Sequence, residues 1–333
     1  MISRSAQCTT LLWLALCTSL AVGQKSSPAC SQCAEWNRQQ KPFRIFANSY
    51  YVGTHGLSSI LITSSAGHVL IDGALPESAQ QIAASIRTLG FRIQDVKVIV
   101  NSHVHFDHAG GIAELQRLSG ARVIASDWSA GVMKKGGIAR DDPQYGETRG
   151  IAPIRNVHTL PDGGSFRVGA IAMTLHLTPG HTPGGTSWTW KSCQGAVCRD
   201  MVYADSLTPV SANGFRFSQS RQYPRALPDF ERSFEFLEAT PCDVLITPHP
   251  EVSGLWERLQ ARERGETPDP MVNRDACRQL AQRARERLRE RLAQEDGQKA
   301  HLQTEQQRGA GQTFRKRSIA RSRSSSVSTP TLS

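Results

Sequence analysis

In the stretch Asn101–Gly111, NSHVHFDHAGG, the residues His103, His105, Asp107 and His108 fall within six consecutive positions. Ordinary polar loops seldom gather three imidazoles and a carboxylate so densely. These side chains are natural ligands for zinc, and a catalytic zinc keeps one coordination position for water. The run is too crowded for a single ion. In an extended segment His103 and His105, two apart, aim at the same side, whereas Asp107 and His108 turn into a helix start and address a second position. Two further histidines, His181 in TPGHTPGG and His249 in ITPHPE, each follow a run that reads as a strand. One more histidine for each ion would complete two three-ligand sites sharing a water. His55, His68, His158, His176 and His301 stand alone and read as surface residues.

Ligands this far apart in the chain must be gathered by loops at the ends of a rigid scaffold. FRIFANSYYVG, LSSILITS and HVLIDG are rich in β-branched and aromatic residues and are broken by turn formers, as hairpins require. VKVIV and ARVIAS read as buried strands, while SAQQIAASIRTLG, GIAELQRLSG and WSAGVMKKGG read as helices. The polar segment 138–154 is long enough to form a lid over a cleft. The same rhythm returns with strands expected at FRVGAIAMTLHLT, TSWTWKS, MVYAD and CDVLIT, and a helix at DFERSFEFLEA. A closing helix places Leu280, Ala284, Leu288 and Leu292 four apart, an apolar stripe for the core with Arg and Glu towards water. No Gly-rich phosphate motif occurs. Strands followed by helices, given twice, predict an α+β architecture of two sheets packed together with helices outside.

The motifs HVHFDHAGG, PGHTPGG, YADSLT and CDVLITPHP together resemble the metallo-β-lactamase superfamily, and more closely the third subclass of class B β-lactamases. The resemblance runs from about Phe43 to Gln294. It implies a four-layer αβ/βα sandwich with a dinuclear site at the edge between the sheets. Matched by motif, His103, His105 and His181 would hold the first zinc, and Asp107, His108 and His249 the second. The other two class B subclasses use a cysteine at the second zinc; YADSLT has none nearby, and His108 fills that role. The implied activity is opening of the β-lactam ring of penicillins, cephalosporins and carbapenems, hence antibiotic resistance. Asp107 would also orient the attacking hydroxide, and the hydroxyls of Ser206 and Thr208 would bind the substrate carboxylate. Related hydrolases such as glyoxalase II bridge their metals with an aspartate after this strand. Asp205 acting in that way would favour the alternative, a thioesterase or lactonase.

The chain ends bear on where such an enzyme works. Arg4, the apolar run LLWLALCTSLAV and Ala21-Val22-Gly23 read as a secretory signal peptide over residues 1–23, its apolar run too short to span a bilayer. Export to the periplasm follows. Residues 24–42 read as a loosely ordered arm, 43–295 as the catalytic domain and 296–333 as a basic, disordered tail. Six positive charges and no acid lie beyond residue 307; without these and Arg4, the formal charge of +10 falls to +3 for residues 24–307. That balance demands neither nucleic acid nor membrane as partner, and a monomer acting on a small molecule is expected. In an oxidising compartment the six remaining cysteines favour disulfides. Cys193 and Cys198 flank a QGAV turn that suits a hairpin bridge, and a Cys242–Cys277 bridge, a pair the resemblance shares, would close a loop of about 35 residues worth roughly 3–4 kcal/mol. Cys30 and Cys33 allow either a local disulfide or an unordered pair.

Overall fold

Apolar residues occupy both faces of the central strands, so each sheet must be covered twice, and that requirement sets the layers. The computed structural model describes residues 30–298; the expected signal peptide and nearly all of the expected tail lie outside the described residues. After a one-turn helix α1 (Cys33–Trp36), a seven-stranded sheet is laid down in chain order: β1 (Phe43–Phe46), β2 (Ser49–Tyr51), β3 (Ile60–Ser64), β4 (Gly67–Ile71), β5 (Val96–Val100), β6 (Arg122–Ala125) and β7 (Val157–Thr159). The pairs from β1 to β4 are antiparallel and those from β4 to β7 parallel. Parallel pairing needs crossovers, supplied by α2 (Ala79–Thr88), by α3 (Phe106–Ala109) with α4 (Ile112–Ser119), and by α5 (Asp127–Lys135) with the loop after it.

The second sheet contains β8 (Ser165–Val168), β9 (Ile171–Leu177), β10 (Thr186–Gln194), β11 (Val197–Tyr203) and β12 (Val244–Ile246), ordered β12-β11-β10-β9-β8. Helix α6 (Ala226–Ala239) carries the chain from β11 to the parallel β12; α7 (Leu255–Glu263) and α8, over 276–298, follow. Period-two alternation divides the core into three slabs. Ile60, Ile62, Val69, Ile71, Val98 and Val100 meet Met173, Leu175, Trp188, Met201 and Tyr203 between the sheets. Their neighbours Leu61, Leu70 and Ile99 pack with Ile82, Ile86, Ile112 and Leu115 of α2 and α4. On the far side Val202 and Leu245 pack with Phe230, Phe234, Leu280, Ala284 and Leu288 of α6 and α8. This is the expected four-layer αβ/βα sandwich.

Three local features differ from the sequence reading. The single strand expected over FRVGAIAMTLHLT is a hairpin, β8 pairing with β9 through Val168 and Ile171. Gly169 makes the turn with φ +58°, and a Cβ there would lie 2.7 Å from the Ala66 Cβ. Neither β7 nor α7 was anticipated: β7 has three residues, and α7 buries only Leu255 and Ala261. The described part of the arm is tied down rather than loose. The Trp36 carbonyl accepts from Thr54 Oγ1 (2.7 Å) and Gly56 N (3.1 Å), and its side chain packs on the α2 side of the first sheet. Docking through backbone groups leaves no mark in a polar composition.

The cysteines pair as Cys30–Cys33, Cys193–Cys198 and Cys242–Cys277. The first settles the open pair as a local bridge beside α1. The second joins directly paired residues of the β10–β11 hairpin, and the third ties the approach to β12 to α8. Among the described residues no helix is long and apolar enough to cross a membrane.

Candidate metal centre

The ligand-type residues stand on backbone that is held from beneath. Asp72, just past β4 in a left-handed conformation (φ +58°), accepts from Ser102 N, Ser102 Oγ and Tyr203 OH, each at 2.7 Å. Burial raises its carboxyl pKa, opposed by the nearby His108 charge and these donors. From the second sheet Thr186 Oγ1 donates to the carbonyls of Asn101 and Ser102, and Trp188 Nε1 donates to Asn101 O at 2.8 Å. Both sheets thus grip the two residues preceding His103. His105 is still extended (φ −81°, ψ 154°) and caps α3, which opens at Phe106. The strand-to-helix change expected within H-x-H-x-D-H is therefore present.

Two groups result. His103, His105 and His181 each offer a ligand atom within 4.8 Å of the others, and so do Asp107, His108 and His249. The groups adjoin, the rings of His103 and His108 lying 4.5 Å apart. His181 arrives on the β9–β10 loop and His249 on the loop after β12.

In the first group one nitrogen of every ring is already engaged. His103 Nδ1 bonds to Asp205 Oδ1 at 2.7 Å, His105 Nε2 to Asp142 at 3.0 and 3.1 Å, and His181 Nδ1 to the Thr208 carbonyl at 2.7 Å. Each ring is thereby oriented, and its other nitrogen is turned inward. Among the described residues His103 Nε2 is buried without a hydrogen-bond partner, and His105 Nδ1 has only Gln144 Nε2 at 3.5 Å. In the second group Asp107 Oδ2 lies 3.3 Å from His108 Nε2 and 3.5 Å from His249 Nε2.

Metal ligation needs neutral imidazole and ionised carboxylate, states that the fold favours at His103, His181 and Asp107 and opposes at His105 and His249. Burial, reinforced by the neighbouring His108, His105 and His181, holds His103 well below the usual histidine range. Burial and the His105 charge lower His181 to about 3. At Asp107 burial works the other way but is outweighed by His108 and His249, which hold the carboxylate well below its usual range. At His105 and His249 burial is likewise outweighed, by Asp142 and Asp107 respectively, and both pKa values are raised. An ionised carboxylate, two clustered imidazole sets and a buried inward nitrogen fit a pair of divalent cations.

All six ligand candidates are thus brought together. Asp205 sits behind His103, on the Nδ1 side of the ring, and belongs to neither group. Ser206 and Thr208 are half-buried and share a cavity with His249. His55 stacks on Trp256 at 5.0 Å, outside both groups. His68, read as a surface residue, is buried edge-on to Phe91. The sequence reading missed Asp142, the Thr208 carbonyl and the Asp72–Tyr203 bond. Asp142 lay in the segment flagged as a long loop, but nothing there distinguishes it from Asp141.

The model of the metallo-beta-lactamase superfamily matches residues 52–263, and the chain belongs to that superfamily. Among solved structures the chain is similar to the Rm3 metallo-beta-lactamase, at 55% identity and TM-score 0.79, over 81% of this chain and 100% of that one. It is similar also to MEM-A1, a subclass B3 metallo-beta-lactamase isolated from a soil metagenome library, at 49% identity and TM-score 0.77, over 79% and 99%. Curated relatives include the N-acyl homoserine lactonase AttM of Agrobacterium fabrum, 29% identical over 38% of this chain and 57% of that protein. A hydroxyacylglutathione hydrolase of Anaeromyxobacter dehalogenans is 29% identical over 39% and 41%. The chain spans about half the length of these two curated relatives.

Proposed function

We propose that this chain is an exported, periplasmic hydrolase that holds two zinc ions and opens the β-lactam ring of penicillins, cephalosporins and carbapenems, conferring antibiotic resistance. One observation carries the reading: two adjoining three-residue groups whose ligand atoms converge within 4.8 Å. The similarity to subclass B3 structures over nearly their whole length supports the substrate class. The enzyme acts as a monomer on a small molecule, with neither nucleic acid nor membrane as partner.

His103, His105 and His181 would hold the first ion, and Asp107, His108 and His249 the second. Ions in such sites supply Lewis acidity towards a carbonyl oxygen and lower the pKa of water towards neutrality. The protein's own part is positional. Asp205, Asp142 and the Thr208 carbonyl fix the tautomer and direction of the three rings of the first group, as partners behind metal-binding histidines generally do. Asp107, kept ionised by two imidazoles, would orient the attacking hydroxide towards the ring carbonyl. The hydroxyls of Ser206 and Thr208 hold the carboxylate beside the ring nitrogen. No serine nucleophile is required.

Lactone or thioester hydrolysis is the second reading, favoured by the AttM and hydroxyacylglutathione hydrolase relatives. The engagement of Asp205 with His103 Nδ1 argues against its bridging two metals. Purified protein assayed with nitrocefin, a penicillin and a carbapenem, with and without chelator, tests the proposal. Zinc-dependent turnover of all three, with two zinc ions bound per chain, is expected. Turnover at background, with a homoserine lactone or glutathione thioester hydrolysed instead, would establish the alternative.

A further inference from the structure

Helix α8 carries six arginines, Arg278, Arg283, Arg285, Arg287, Arg289 and Arg291. Four of them end on carboxylates: Arg278 on Asp275, Arg285 on Glu231 and Glu238, Arg289 on Glu286, and Arg291 on Glu295. Among the described residues Arg283 and Arg287 have no carboxylate within salt-bridge distance. They stand one turn apart, so they share a face of the helix, and both line the cavity that also contains Ser206, Thr208 and His249. The one carboxylate in that lining, Asp205, is buried and already bonded to His103 Nδ1. A cavity at the edge of the metal centre thus presents two uncompensated guanidinium groups and a pair of hydroxyls. Solvated arginines on an amphipathic helix are ordinary; the two unpaired ones coinciding at the mouth of the site are not explained by amphipathicity.

We propose that Arg283 and Arg287 form an anion subsite contiguous with the metal centre, which draws in and holds the carboxylate of the substrate alongside Ser206 and Thr208. The inference rests on the β-lactam reading and deepens it. Neutral hydroxyls fix the geometry of a carboxylate but bring no counter-charge, whereas guanidinium groups bring charge and paired donors matched to a carboxylate. Both arginines are exposed, so their effect resides in substrate capture and its sensitivity to salt rather than in the chemical step.

The test compares wild-type holoenzyme with R283A/R287A and R283K/R287K on a cephalosporin and its carboxylate methyl ester, at low and high salt. For R283A/R287A, KM for the free acid should rise about fivefold, the size of an exposed ion-pair effect. Its kcat should hold, the salt dependence of kcat/KM should flatten, and the ester should respond little. The lysine variant should recover most of the salt dependence. An unchanged KM for the acid, or equal changes for acid and ester, would overturn the subsite. So would loss of bound zinc in R283A/R287A, since the arginines would then act through the fold. Wild-type enzyme that opens neither compound would defeat the β-lactam reading and this inference with it.

Discussion

Asp142 offers the most direct probe of how the first metal group is held. Its carboxylate lies within 3.0 and 3.1 Å of His105 Nε2, while Gln144 N donates to the same group at 2.8 Å. The side chains of His105 and Asp142 are only 4% and 2% exposed, so water screens the pair weakly. With the carboxylate in place an N–H is held at Nε2, which leaves the Nδ1 lone pair free to bind the first ion when it is present. Asp142→Ala leaves a buried N–H without an acceptor, at a cost of about 1–3 kcal/mol, and frees the ring to change tautomer. Affinity for the first ion should fall about 10- to 100-fold, the usual consequence of losing a partner behind a metal-binding histidine. Asp142→Asn keeps an acceptor oxygen and loses only the charge, so its loss should be smaller. Competition with a chromophoric chelator resolves the two dissociation constants, and thermal unfolding reports on the fold. A folded D142A with both affinities at the wild-type level would refute the reasoning. Equal weakening of both sites would refute it too, because Asp142 touches the first group alone.

His181→Ala and His249→Ala should each lower bound zinc from two towards one per chain and cut β-lactam turnover by orders of magnitude, measured by metal analysis and steady-state kinetics. Gly185→Ala would place a Cβ 2.3 Å from Asp205 Oδ2 and 2.7 Å from Thr178 O. The overpacking should cost roughly 1–3 kcal/mol and, by displacing Asp205 from His103, weaken the first ion in the same chelator assay. Glu295, 2% exposed, accepts from Phe217 N, Ser218 N and Ser218 Oγ and pairs with Arg291. Burial raises its pKa, but these donors outweigh it and the folded value lies below the ordinary 4.5. Its contribution to stability is therefore complete above pH 4.5 and lost as pH falls through the depressed folded value. Denaturant unfolding of Glu295→Gln should show lower stability near neutrality and a shallower acid decline than wild type; parallel pH curves would contradict the assignment.

The strands were legible because a strand buried on both faces is an unbroken apolar run, as in the VIV that closes VKVIV, and needs no knowledge of its partner. The failures were of the opposite kind. The β8–β9 hairpin hid inside one apolar stretch, since its turn rests on the conformation of Gly169 against Ala66. Helix α7 hid because it buries only two side chains. The arm read as loose although its Trp36 carbonyl is bonded to Thr54 and Gly56.

By itself the sequence determined the chemistry available to this protein. Four ligand-type residues within six positions, spanning an extended segment and a helix start, define two directions of coordination through covalent geometry alone. Which distant histidine joins which direction came by resemblance, and only the packing of two sheets realises it, carrying His181 and His249 in from separate loops. Tertiary structure alone also decided that Asp142 and Asp205 stand behind the rings, and that Arg283 and Arg287 look onto the cavity while their neighbours pair with acids. A ligand's type is a property of its residue. Its hydrogen-bond partner and the charge it faces are properties of distance in space, which the order of residues along the chain does not contain.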